Sequence, residues 1–233
     1  EQEAITLAAR LCAETGCRTH IVHVSAASAL PLIAEAKRRG AALTAETCPH
    51  YLTFISEEIP AGRTEFKCAP PIRDRGNRER LWAALLDGTL DMIVSDHSPC
   101  VPELKKQGTG DFIGAWGGIS GLQYTLPAAW TGLSARGGRL PQLSRLLSAA
   151  QARLAGLKRK GCLEPGYDAD VVIWDPDAEF VVRPEAIRHR HKLTPYNGLA
   201  LRGQVNAVYL RGRTLKPAPE KSIGRALLKE ETS

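Results

Sequence analysis

The chain has 233 residues, of which 43% are hydrophobic and 24% are charged, and its formal net charge is +6. This composition is typical of a globular protein, and the length allows one large domain or two modest ones. No apolar run is long enough to cross a bilayer, and the first residues lack the basic start and apolar centre of a secretory signal. We therefore expect a cytoplasmic protein with no membrane partner, although a peroxisome or mitochondrion stays open as its compartment.

Two basic clusters, at residues 158–160 and 188–192, could contact phosphates. Both clusters lie at predicted helix ends or loops, and neither has aromatic residues interleaved as stacking platforms for bases. We expect no nucleic-acid partner. The six cysteines include no C-x-x-C pair, which argues against a zinc ribbon or a disulfide framework and indicates reduced thiols.

Helical and short apolar segments alternate up to about residue 100, a pattern typical of parallel β/α units. The chain opens inside an amphipathic helix at residues 1–15, and because its first residue is Glu1 rather than Met, we expect a preceding part of the protein to be missing. Next come strand "THIVHVS", a helix at 29–39, strand "ALTAETC", a helix at 77–86 and strand "DMIVS".

The chain between Pro99 and Gly118 is rich in glycine, proline and charge, which predicts a loop with a function of its own. Helical patterns resume up to about residue 157. After Gly161, β-branched residues alternate in "DADVVIWDPDAEFVV" and "VNAVYLRGRTL", which predicts a small β module. The expected domains are therefore residues 1–157, built of β/α units, and residues 158–233, a small β domain with a tail.

Strand "THIVHVS" carries two histidines three positions apart. Side chains alternate along a strand, so His20 and His23 should point to opposite faces. His23 lies at the carboxyl end of the strand, where β/α barrels place their active sites, and we expect it to face the interior. His20 should then face the surrounding helices. A purely structural, hydrogen-bonded role stays open for a lone strand histidine.

Strand "DMIVS" leads directly into Asp96 and His97. Alternation places Met92, Val94 and Asp96 on one face, which would be the interior face of a barrel. A buried carboxylate needs a cation, a metal ion or strong hydrogen-bond donors, and a metal ion near His23 would meet that need. A role for Asp96 as a helix N-cap or turn residue stays open.

Three further features are ambiguous when taken alone. The double proline in "KCAPPIRD" stiffens a loop that could present its backbone to a ligand or could simply connect two elements. His50 follows the middle strand and could line the site or cap it. His189 and His191 have the H-x-H spacing of a metal site, but they lie in a basic, polar stretch, and we interpret them as a surface or interface feature.

Seven stretches together resemble the cyclic amidohydrolases, and most closely their allantoinase branch. They cover nearly the whole chain in the order of the family: "HIVHVS", "ETCPHYL", "KCAPPIRD", "VSDHSPC", "AWGGISGLQ", "GCLEPGYDADVVIWDP" and "HKLTPYNG". The resemblance implies an α/β fold, namely the C-terminal part of a (β/α)8 TIM-like metal-dependent hydrolase barrel, with strands six to eight, plus part of a small β-sandwich domain.

The resemblance also implies a metal site and its ligands. Family members hold two divalent ions, zinc being the expected metal, and His23 matches their sixth-strand histidine and Asp96 their eighth-strand aspartate. Asp96 would also be the catalytic residue. His20 and His97 are left out as ligands. The first-strand H-x-H pair, the bridging carboxylated lysine and the fifth-strand histidine have no counterpart in this sequence.

Three positions match substrate contacts of the family, and we expect Cys100 and His50 to belong to the substrate-binding set as well. Ala69, before the double proline, would meet the ring amide through its main chain, and Gly117 and Gly118 match a loop that closes over the substrate. Cys100 takes the place of a histidine in dihydroorotase-like sequences, which favours a neutral ureido substrate. His50 would complete the substrate-binding set.

The activity implied is hydrolysis of the cyclic amide of allantoin to allantoate, by a homotetramer acting on a small-molecule ureide. Dihydropyrimidinase, hydantoinase or dihydroorotase activity stays open, as does a non-catalytic scaffold protein related to dihydropyrimidinase. A barrel with three of eight strands would leave strand edges unpaired, so we expect no hydrolase activity from these 233 residues alone.

Overall fold

The computed structural model describes residues 1–215 and 223–227. These residues form a mixed α/β structure with two separate three-stranded sheets. None of the described helices has the length and hydrophobicity of a membrane-spanning segment. The helices are α1 (Gln2–Thr15), α2 (Leu30–Arg38), α3 (Pro49–Thr53), α4 (Arg75–Asp87), α5 (Thr125–Ser134), α6 (Leu140–Ser144) and α7 (Ala150–Ala155). The strands are β1 (Thr19–Ile21), β2 (Leu43–Thr47), β3 (Met92–Ile93), β4 (Val171–Val181), β5 (Ala200–Leu210) and β6 (Arg213–Thr214).

The first sheet is parallel, with β2 between β1 and β3. Strands β1 and β3 are shorter than the apolar runs that predicted them, and each is followed by a residue with a left-handed backbone, His23 and Asp96. Each strand is followed or preceded by a helix, as the alternating pattern predicts. All three carboxyl ends therefore lie at one edge of the sheet.

One face of this sheet packs against α1, α2 and α4. Leu43 and Ala45 of β2 belong to the same buried cluster as Ile33 of α2 and Leu81 and Leu85 of α4. These side chains recur at helical spacing on the inward face of each helix, so that burial of apolar area holds helices and sheet together. Helices α1 and α4 end at glycines in left-handed conformation, which are typical C-terminal caps.

The second sheet is antiparallel, in the order β4-β5-β6, and corresponds to the predicted β module. Helix α5 anchors it. The Trp130 indole of α5 meets Trp174 of β4 edge to face at 5.6 Å between ring centroids, and its Nε1 donates to the Pro176 carbonyl at 2.8 Å. The Thr131 hydroxyl accepts from the Arg202 amide of β5 at 2.8 Å. The division at residue 157 stays a prediction.

Asn77 joins the loop after β1 to the start of α4. Its Nδ2 donates to the Ser25 carbonyl at 2.8 Å, and its Oδ1 accepts from the Ala27 amide at 2.7 Å. Its own amide donates to Asp74, the N-cap of α4, at 2.8 Å. Because Asn77 is only 6% exposed, these polar groups would be costly to leave unpaired.

The substitution Asn77→Asp should destabilise the protein by about 1–3 kcal/mol, because a carboxylate oxygen would replace the amide donor that faces the Ser25 carbonyl. The measurement is urea unfolding of the full-length protein, with Asn206→Asp, an exposed position on β5, as the matched control. Equal unfolding midpoints for the two variants would contradict this role of Asn77.

Candidate functional site

The candidate site lies where β1 and β3 end. His23 and Asp96 follow these strands, and each has a left-handed backbone with φ of 42°. Such a conformation is uncommon for residues other than glycine and turns the chain sharply after the strand. On β1 the ladder continues past this turn, because the Val24 amide donates to the Glu46 carbonyl at 2.8 Å. On β3 the last ladder bond comes before the turn, from the Val94 amide to the Thr47 carbonyl at 3.0 Å.

His20 points to the opposite face from the one that alternation predicted. Its Nδ1 lies 2.8 Å from the Thr44 hydroxyl and its Nε2 lies 2.9 Å from Glu46 Oε2, on the face of β2 opposite the helix-packed side chains. Ile21, by contrast, packs against the core. The prediction that His20 faces the helices is therefore wrong. His23 shares the parity of Ile21, and its left-handed backbone changes the direction that strict alternation would give it.

Asp96 and His23 lie close enough to affect each other electrostatically. Burial raises the pKa of the Asp96 carboxyl, the Glu46 carboxylate raises it further, and His23 lowers it. Within the part of the chain that the structure describes, neither His23 nor Asp96 makes a side-chain hydrogen bond. A carboxylate and an imidazole with free donor atoms, beside a second carboxylate, are chemically suited to hold a divalent cation.

Two buried residues that follow β2 form a group of possible metal ligands with Asp96, and this group does not include His23. The ligand atoms of Cys48, His50 and Asp96 all lie within 4.8 Å of one another. Burial lowers the pKa of His50 to about 3, and its Nε2 is buried without a hydrogen-bond partner. Burial also raises the pKa of the Cys48 thiol, so this sulfur is protonated in the absence of a metal ion.

Sequence reasoning missed Glu46 and Cys48 as members of the site. The signal was present in "LTAETC", because Thr44, Glu46 and Cys48 alternate along β2 and so share one face. Applying the period of two to this strand, as to the two outer strands, would have identified them.

The segments predicted to contact substrate lie side by side. A Cβ placed on Gly117 would lie 3.7 Å from the Ala69 Cβ, and Ala69 and Gly117 are both exposed. A Cβ on Gly118 would lie 2.5 Å from the Ser98 Oγ and 2.7 Å from its carbonyl oxygen, so no larger residue fits there. The glycine pair therefore lets this loop approach residues 68–69 and 98 closely.

Cys100 lies next to a buried lysine. Burial raises the pKa of its thiol and Lys105 lowers it. His97 is engaged by the main chain, because its Nδ1 accepts from the Gly121 amide at 3.2 Å and from the Leu122 amide at 3.3 Å. The His189 ring lies 5.7 Å from that of His97, centroid to centroid, so the H-x-H segment packs behind the strand end.

Comparison with known proteins identifies the family of the chain. The sequence pattern of the amidohydrolase family matches residues 8–215. The allantoinase of Streptomyces avermitilis is 48% identical over 215 residues, which cover 91% of this chain and 48% of that protein. The allantoinase of Arabidopsis thaliana is 50% identical over 200 residues, covering 84% and 40%, respectively.

Solved structures are also similar to this chain. The L-hydantoinase (dihydropyrimidinase) from Arthrobacter aurescens superposes with a TM-score of 0.85 at 33% identity and covers 91% of this chain and 48% of that one. The chain spans about half the length of the curated relatives it matches. Since the family match extends over most of its residues, this chain belongs to the amidohydrolase family.

Proposed function

We propose that this chain contributes strands six to eight of a (β/α)8 barrel and part of a small β-sandwich domain to a cyclic amidohydrolase, which hydrolyses allantoin to allantoate. The observation that carries the proposal is that His23 and Asp96 follow the two outer strands of a parallel sheet at the same edge, make no side-chain hydrogen bonds among the described residues, and influence each other electrostatically. The identity of 48–50% to two allantoinases supports the substrate.

The amidohydrolase superfamily implies a binuclear metal centre, and zinc is the metal we propose. Asp96 would hold one ion and His23 the other. The H-x-H pair, the bridging carboxylated lysine and a further histidine would come from a part of the protein upstream of this sequence. When bound, the ions polarise the ring carbonyl and lower the pKa of the attacking water.

Asp96 is the proposed general base and acid. As the water oxygen attacks the carbonyl carbon, the Asp96 carboxylate accepts its proton and passes it to the ring nitrogen as the C–N bond breaks. The apolar strand behind Asp96 holds this carboxylate at the edge of the sheet, and its partial burial limits competing contacts with bulk water.

The remaining contacts suit a small, neutral ring. The Ala69 main chain would bind the ring amide, and Gly117 and Gly118 would close over it. His50 is held neutral by burial and can accept or donate one hydrogen bond, and Cys100 adds no charge at neutral pH, since burial raises its pKa. We propose a cytoplasmic homotetramer without a nucleic-acid or membrane partner.

The full-length enzyme should hydrolyse allantoin with a higher kcat/KM than dihydroorotate, because the site offers neutral donors rather than a cation for a substrate carboxylate. It should also prefer allantoin to hydantoin, in line with its identity of 48–50% to two allantoinases. Formation of the open-chain ureido acid from each of the three rings, measured side by side, tests this. A preference for hydantoin would assign the dihydropyrimidinase reaction instead, and a protein without bound metal or activity would indicate a scaffold.

Replacing Asp96 by Asn should lower kcat by roughly 10²–10⁴-fold, because the amide cannot accept the water proton. The matched control is Asp91→Asn at the opposite end of the same strand, where the carboxylate accepts from Lys37 Nζ at 2.6 Å and from the Ala45 amide at 2.7 Å. This control should cost stability but leave the kcat of the folded enzyme unchanged. A fully active Asp96→Asn enzyme would exclude the proposed role.

Replacing His23 by Asn should lower the metal content of the full-length enzyme, since an imidazole ligand is lost. His20→Asn should retain the metal, because both ring nitrogens of His20 are already engaged by Thr44 and Glu46. Metal analysis after dialysis, with circular dichroism to verify folding, distinguishes the two histidines. The reverse result would make His20 the ligand.

A further inference from the structure

Lys105 is a buried lysine, and all the hydrogen bonds of its ammonium go to main-chain carbonyl oxygens. It ends the short helical turn Pro102–Lys105 and is 4% exposed. Its Nζ lies 2.9 Å from the Lys67 carbonyl, 2.9 Å from the Trp116 carbonyl and 2.5 Å from the Gly118 carbonyl. An ammonium has three N–H donors, so these three acceptors use all of them.

This geometry requires the charged form of Lys105. A neutral amine would direct its lone pair at one of the three carbonyl oxygens. Burial lowers the pKa of Lys105, and no carboxylate among the described residues forms an ion pair with it. The carbonyl dipoles therefore offset the cost of burying the charge, which is an unusual arrangement for a lysine.

The three carbonyls belong to the two segments that the proposed function assigns to the substrate. Lys67 lies two positions before Ala69, and Trp116 and Gly118 flank Gly117. The Gly118 amide also donates to the Lys67 carbonyl at 3.0 Å. The ammonium thus lies directly behind both segments and joins them.

We propose that Lys105 is a positioning residue, which fixes the separation between the Ala69 main chain and the Gly117–Gly118 loop so that a cyclic ureide fits between them. The inference rests on the proposed function and adds to it a determinant of substrate binding. Lys105 touches neither the reacting atoms nor His23 and Asp96, so its loss should affect KM more than kcat.

The test is the full-length enzyme with Lys105→Met, which keeps an unbranched side chain only one atom shorter and removes its donors. We expect KM for allantoin to rise about tenfold or more while kcat changes less than about threefold, since misplaced binding segments weaken capture of the ring. Metal content should stay at the wild-type level. The matched control is Lys106→Met, where the lysine is exposed and paired with Asp111 at 3.1 Å; its KM should not change.

A second variant, Lys105→Gln, retains two of the three N–H donors and replaces Lys105→Met if that variant does not fold. Its KM should lie between those of the wild type and the methionine variant. A wild-type KM in folded Lys105 variants that have only lost thermal stability would overturn the inference and assign a structural role. If the wild-type enzyme opens hydantoin rather than allantoin, KM is measured with that ring. A wild type that opens neither ring would overturn the proposed function and this inference with it.

Discussion

Thr47 holds together the two strand ends on which the candidate site depends. Its hydroxyl donates to the Val24 carbonyl at 2.7 Å, and its carbonyl accepts from the Val94 amide at 3.0 Å. Thr47 is fully buried, so both bonds are protected from water and link β1 and β3 across the central strand. His23 and Asp96 lie one position before and two positions after the residues that Thr47 contacts. Their separation is therefore set by a main-chain ladder rather than by their own side chains.

The two outer strands show where sequence reasoning succeeds and where it fails. Met92 lies on the face opposite the helices, as alternation predicts, since it pairs with Glu46; the left-handed backbone at Asp96 then interrupts the alternation at that residue. The same rule misdirected His20, because it assumed that the strand stays regular as far as His23. The left-handed backbone at His23 breaks the period of two after Ile21. Histidine adopts a positive φ more often than most residues, but this local preference is too weak to predict that His23 would do so.

The helices and the β module were predictable, because their apolar residues recur at a clear period and glycine ends α1 and α4. For the long loop between Pro99 and Gly118, the sequence predicted that a loop is present but not which of its side chains are buried. In "PELKKQ", Lys105 and Lys106 look alike as solvated charges, yet Lys105 is 4% exposed and Lys106 lies on the surface. The difference arises from carbonyls 38 positions upstream and 11–13 positions downstream of Lys105. Sequence spacing carries no information about contacts of that range.

Charge balance at the strand ends explains why this edge of the sheet is suited to cations. Glu46 is buried but is paired with His20 through a 2.9 Å contact. His50 cannot supply positive charge, because burial holds its pKa near 3, and the Cys48 thiol stays protonated. The Asp96 carboxylate is therefore the group whose charge the described residues leave uncompensated by a direct contact. An isolated carboxylate in such surroundings would take up a proton, whereas a divalent ion would favour its charged form and use the free imidazoles beside it.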